Sequence, residues 1–139
     1  MDIRKIDDTI SVAPQIELQE MDEIARLGFK SVICNRPDGE TLEQPEQRLM
    51  EEAALAAGLD FRYLPLSPGR LTAELVEDFG AALHDMPGPV LAYCRSGTRS
   101  ATLWALSQAG KRPADEILGM AADAGYDLGG IAGALAGAR

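Results

Sequence analysis

Short apolar runs of strand length alternate along this chain with stretches whose apolar residues recur every three or four positions, and glycine or proline marks most of the boundaries. Residues 3–6 and 9–13, on either side of Asp7-Asp8, read as a short hairpin. Over residues 17–27, Leu18, Met21, Ile24, Ala25 and Leu27 form a helical stripe that Gly28 ends. Residues 31–35 read as a strand, followed by the Pro37-Asp38-Gly39 turn. Pro45 suits the first turn of a helix over residues 46–57, which Gly58 stops. Residues 60–66 alternate as a strand, and Thr72 is the expected cap of a third helix with Leu75, Val76, Phe79, Ala82 and Leu83 on its apolar side. The apolar run 90–93 is a further strand and leads through a short loop into a helix. A last clear helix spans residues 114–124 and ends at Gly125, while residues 128–139 read either as a short packing helix or as a frayed end. Strand and helix in alternation after an opening hairpin predict an α/β fold, one domain over residues 1–139, with a mainly parallel central sheet flanked by helices.

The stretch Cys94-Arg95-Ser96-Gly97-Thr98-Arg99-Ser100 carries the chemistry. Cys94 ends a buried parallel strand, and open α/β sheets place their ligands at the carboxyl ends of such strands. A helix beginning near Arg99 or Ser100 turns its first amide N–H groups back over the loop, where they favour an anion or a thiolate. Cys94 is therefore the expected nucleophile. Gly97 lets the backbone turn without a Cβ in the way. Arg99 is expected to clamp an oxyanion through its planar fork, and the amides of Arg95, Ser96, Gly97, Thr98 and Ser100 to complete the cradle. Ser100 could also donate to the thiolate or cap the helix.

Charge and composition narrow the classes. The chain has 139 residues, enough to bury a core, and no apolar run approaches the roughly 20 residues of a membrane span. A net charge of −9 argues against a nucleic-acid partner, whose phosphates are bound by clustered lysine and arginine. No apolar segment follows Met1-Asp2-Ile3-Arg4-Lys5, so a cytoplasmic protein is expected. One histidine and two widely separated cysteines give no metal-ligand spacing, and no metal or organic cofactor is expected.

In a parallel sheet the loops after residues 35, 66 and 93 leave on one edge, which makes Arg36, Asp38, Ser67 and Arg70 neighbours of Cys94. Arg36 is open to two readings, an anion contact or a loop arginine paired with Asp38. Asp38 is a candidate proton donor. Cys34, at the end of a neighbouring strand, is either a second thiol or a core residue.

These residues carry resemblances. Cys94 to Ser100 resembles the active-site loop of bacterial single-domain rhodaneses, in which a cysteine, four residues and an arginine cradle a persulfide. It is also similar to a shortened protein tyrosine phosphatase signature, which has five residues between cysteine and arginine and a histidine where this chain has Tyr93. Taken with Ile33-Cys34-Asn35-Arg36-Pro37-Asp38-Gly39-Glu40 and Ala124-Gly125-Tyr126-Asp127-Leu128, it resembles the phosphatase-like domain of the beta-lactamase-hydrolase-like family, whose members are also known as sulfur transferases. The resemblance implies a dual-specificity-phosphatase-like fold with a rhodanese-length loop. In the dual-specificity phosphatases an aspartate in the loop after the strand matching residues 61–66 protonates the leaving oxygen, and here that loop is Ser67-Pro68-Gly69-Arg70. Sulfur transfer needs no such acid. The expected function is thus rhodanese-like sulfurtransfer through a Cys94 persulfide, with a small sulfur- or phosphorus-containing anion and a thiol acceptor as partners. Phosphate hydrolysis through a Cys94 phosphocysteine is the alternative, and an inactive anion-binding module is a third.

Overall fold

In the computed structural model, which describes residues 1–137, five strands form one sheet in the order β1-β2-β5-β3-β4. They are β1 (Arg4–Lys5), β2 (Ile10–Ala13), β3 (Ser31–Cys34), β4 (Asp60–Tyr63) and β5 (Val90–Tyr93). The short β1 pairs antiparallel with β2, and every other pairing is parallel. This is the α/β fold with a mainly parallel sheet that the strand and helix alternation predicts.

Burial explains the strand order. β5 has no charged side chain and is buried throughout, which suits a central strand covered on both faces. Its residues alternate between two cores. Val90 and Ala92 join Ile33, Phe79 and Trp104 on one face, while Leu91 and Tyr93 join Val32, Met21 and Met50 on the other. β4 is an edge strand, and it alternates exposed Asp60 and Arg62 with half-buried Phe61 and Tyr63.

One face is covered by α1 (Met21–Arg26), entered through a 3-10 turn at Leu18–Glu20, and by α2 (Gln47–Ala56). The other is covered by α3 (Ala73–Asp85), α4 (Thr98–Ser107), α5 (Ala114–Asp123) and α6 (Ala132–Ala136). The cap at Thr72 is present, its hydroxyl accepting the Leu75 N–H at 3.1 Å. β4 ends three residues earlier than the alternation suggests, because Pro65 has no N–H for the ladder. Leu64 and Leu66 still donate to the Cys34 and Asn35 carbonyls. The tail forms a 3-10 turn at Gly129–Ile131 and then α6, with Leu135 buried; residues 138 and 139 lie outside the described part. Among the described residues no helix is long and apolar enough to cross a membrane.

Because β2, β3, β4 and β5 run parallel, their following loops emerge on one edge of the sheet, and Cys94 emerges at its centre between those of β2 and β3.

Candidate active site

The loop after β5 folds back on its own cysteine. Cys94 is fully buried, and its Sγ accepts the Gly97 N–H at 3.1 Å. Gly97 is the N-cap of α4 at φ +91°, so the helix starts at Thr98, slightly earlier than the sequence suggests. The amides of the first turn have no acceptor within the helix and add their partial positive charge beside the sulfur. Arg95, Ser96 and Thr98 are exposed. The Ser96 hydroxyl donates to Thr98 Oγ1 at 3.1 Å and accepts the Thr98 N–H at 3.3 Å, which stiffens the turn. Ser100 is buried; its Oγ donates to Asn35 Oδ1 at 2.8 Å, and Asn35 Nδ2 donates to the Leu64 carbonyl at 2.8 Å. It therefore pins α4 to the ends of β3 and β4.

Arg99 is held by one edge and one outer hydrogen. Nη1 and Nη2 donate to the two carboxylate oxygens of Glu40 at 2.7 and 2.8 Å, and Nη1 also donates to the Leu66 carbonyl at 2.8 Å. Three of the five guanidinium N–H groups are spent in this way. The Nε–H and the second Nη2–H remain, and they are parallel along one edge, the arrangement that takes two oxygens of a tetrahedral anion. Hydrogen bonding to Glu40 holds the guanidinium above its ordinary pKa against the opposing effect of burial, and neighbouring Cys94 adds to the rise.

Glu40 also reaches Arg36, which is nearly buried. Arg36 Nε donates to Glu40 Oε1 at 3.0 Å and its Nη1 to Gln15 Oε1 at 3.0 Å. Of the two readings open for Arg36, the pairing partner is Glu40 in place of Asp38. The Glu40 carboxyl lies below its usual pKa range, chiefly through its bonds from Arg99, with Arg36 contributing against burial. Asp38 is turned elsewhere: its Oδ1 accepts the Gln47 N–H at 2.7 Å at the start of α2, and its own N–H donates to the Tyr63 hydroxyl at 2.9 Å.

The remaining neighbours divide cleanly. Arg70 is exposed in a turn closed by its N–H on the Ser67 carbonyl, and from the loop after β4 it is the Leu66 backbone that enters the site. Cys34 is a free core thiol, pushed up to about 11 by burial, whose Sγ donates to the Arg36 carbonyl at 3.3 Å. Trp104 is core. Tyr126 braces the loop from outside, its hydroxyl donating to the Ser96 carbonyl at 3.4 Å and lying where a Cβ on Gly97 would stand. Among the described residues no three histidine, cysteine or acidic side chains group to hold a metal. Sequence reasoning missed Glu40, Gln15 and Asn35; only Glu40 carried a signal, its spacing of four residues from Arg36.

The profile of the family described as the phosphatase-like domain of beta-lactamase hydrolase-like proteins matches residues 2–111. The chain belongs to this family. A beta-lactamase hydrolase-like protein of Xylella fastidiosa is 34% identical over 131 residues, covering 93% of this chain and 30% of the relative, so the phosphatase-like domain spans less than a third of that protein. A solved Neisseria meningitidis structure, described as a candidate phosphatase, is 36% identical with a TM-score of 0.89 and covers 100% of this chain and 99% of that one. The Pseudomonas aeruginosa protein TpbA, solved as a cysteine-to-serine variant with phosphotyrosine, is 19% identical with a TM-score of 0.60 over 98% of this chain and 91% of that one, a likeness of fold alone.

These findings overturn the sulfurtransferase expectation, and with it the persulfide and the thiol acceptor: family and neighbours are phosphatase-like. The expectation rested on two local features, a loop with four residues between cysteine and arginine and the lack of a carboxylate after β4. Neither decides the reaction. A carboxylate does reach the site, from the loop after β3, but as the ion-pair partner of Arg99: Glu40 orients the guanidinium and does not replace the missing acid.

Proposed function

We propose that the domain hydrolyses phosphate monoesters by way of a Cys94 phosphocysteine. The observation that carries this reading is an Arg99 guanidinium that neighbours Cys94 and is fixed by Glu40 and Leu66, with its Nε–Nη2 edge given to no protein oxygen. The loop amides and that edge bind the non-bridging oxygens and stabilise the charge that develops on them. Cys94 Sγ attacks phosphorus in line, the P–O bond breaks, and its electron pair leaves with the alcohol oxygen. Water then attacks phosphorus, the P–S bond breaks, and phosphate departs with the thiolate restored.

Proton supply decides the substrate class. Glu40 is held as a carboxylate by two arginines, and Asp38 is engaged at the start of α2. From those positions neither carboxylate delivers a proton to the leaving oxygen. A phenolate needs far less help to leave than an alkoxide, which supports an aryl phosphate such as phosphotyrosine; a fold neighbour solved with phosphotyrosine supports the same class.

The test compares wild type and Cys94→Ser against aryl phosphates of graded phenol acidity and one alkyl phosphate, with mass analysis after acid quench. Turnover should vanish in the variant, rise steeply with phenol acidity, and leave a phosphoryl adduct on Cys94. Activity surviving in Cys94→Ser, or phosphate binding with neither turnover nor adduct, would refute the proposal.

A further inference from the structure

Arg36 is placed as no loop arginine needs to be. Its residue is 4% exposed, and its two hydrogen-bond partners come from different crossovers of the sheet: Glu40 after β3 and Gln15 after β2. Gln15 is itself oriented, its Nε2 donating to the Ile16 carbonyl at 2.8 Å so that Oε1 faces Arg36. The backbone N–H of Gln15 donates to the Arg95 carbonyl at 3.2 Å. From Glu40 the path continues to Arg99. Arg95 and Arg99 belong to one loop, so the bonds close a circuit: the Arg95 carbonyl, Gln15, Arg36, Glu40, Arg99, and back along the backbone. The Cys34 thiol, donating to the Arg36 carbonyl, fixes this residue from the core side.

We propose that Arg36 is the positioning residue of the anion clamp, acting through Glu40 on Arg99 and through Gln15 on the start of the Cys94 loop. This rests on the phosphatase reading of that loop. Geometry and charge both require an arginine. Two separate nitrogens at a fixed angle address two acceptors, which a single ammonium cannot do. Glu40 stands between two guanidinium groups, so one positive charge remains for the ligand. Without Arg36, Glu40 would cancel Arg99 and leave the clamp neutral.

The experiment uses Arg36→Gln, Arg36→Lys, Glu40→Gln and the double Arg36→Gln/Glu40→Gln. Tungstate binding is followed by calorimetry in the Cys94→Ser background, and kcat and KM for an aryl phosphate in the active background. Arg36→Gln should weaken tungstate and lower kcat on the order of tenfold, short of the 10²–10³ that losing a clamp donor outright costs. Arg36→Lys should restore tungstate affinity, through charge, better than it restores kcat, which depends on geometry. The double variant should be no worse than the worse single, because both act through Arg99. Should Arg36→Gln not fold, Gln15→Leu breaks the same circuit while keeping the charge, and should lower kcat with little change in tungstate affinity. Unchanged kcat and affinity in Arg36→Gln, or losses that multiply in the double variant, would overturn the proposal. Arg36-dependent tungstate binding in a protein without phosphatase turnover would uphold the circuit and sink only the reading of the reaction.

Discussion

Gly97 is the residue at which the loop tolerates least. At φ +91° an L side chain is strained by about 1–2 kcal/mol, and a Cβ there would fall on the Tyr126 hydroxyl. Gly97→Ala should therefore melt earlier and turn over more slowly, and adding Tyr126→Ala should return the steric part of the loss while leaving the backbone part. Thermal melts and kcat of both single variants and the double measure this; simple additivity would mean that the two groups do not meet. Cys94, Gly97 and Arg99 could be singled out in the sequence because what they offer is tied to residue type: a thiol, a left-handed turn and a planar fork. Glu40 and Gln15 could not. Among 22 acids Glu40 is marked in the sequence only by its spacing of four from Arg36, and what distinguishes it is the convergence of Arg36 and Arg99, which lie far apart along the chain.

Among the elements, α4 is fixed by a buried amide as much as by its glycine cap. Asn35 joins three pieces: the end of β3, the Leu64 carbonyl after β4 and Ser100 in the first turn of α4. Asn35→Ala leaves the Leu64 carbonyl and the Ser100 hydroxyl without these partners, and should cost about 1–3 kcal/mol in urea unfolding. Ser100→Ala should cost less, since Asn35 keeps Leu64; equal or reversed losses would contradict this account. The helices were legible to within a few residues, since Gly28, Gly58, Gly125 and Pro45 stand at or beside their ends. The parallel sheet was legible from the alternation. The pairing of β5 with β3 was anticipated for Cys34, but its pairing with β2 was not, because lateral strand order is set by how the crossover helices pack and leaves no local trace. That order is what brings Gln15 to the Cys94 loop.

At the scale of the whole molecule, the Glu40 link ties stability to pH. Its carboxyl lies below the usual range in the folded chain, so the folded state favours the ionised form more than the unfolded state does. The stabilisation is therefore complete above the unfolded value of about 4.3 and is lost as pH falls through the lower folded value. The groups facing Glu40 are the guanidinium groups of Arg36 and Arg99, which stay charged throughout, so the change belongs to Glu40. Other acids in a chain of net charge −9 also titrate below neutrality, and a single melting curve would mix them all. Subtracting Glu40→Gln from wild type isolates the link, because the amide mimics the protonated acid in shape and charge. Thermal midpoints should differ most near neutrality, and the gap should close as pH falls below about 4.3. A gap that stays constant into acid would mean that the loss in Glu40→Gln comes from packing, and that Glu40 does not hold Arg99 by its charge.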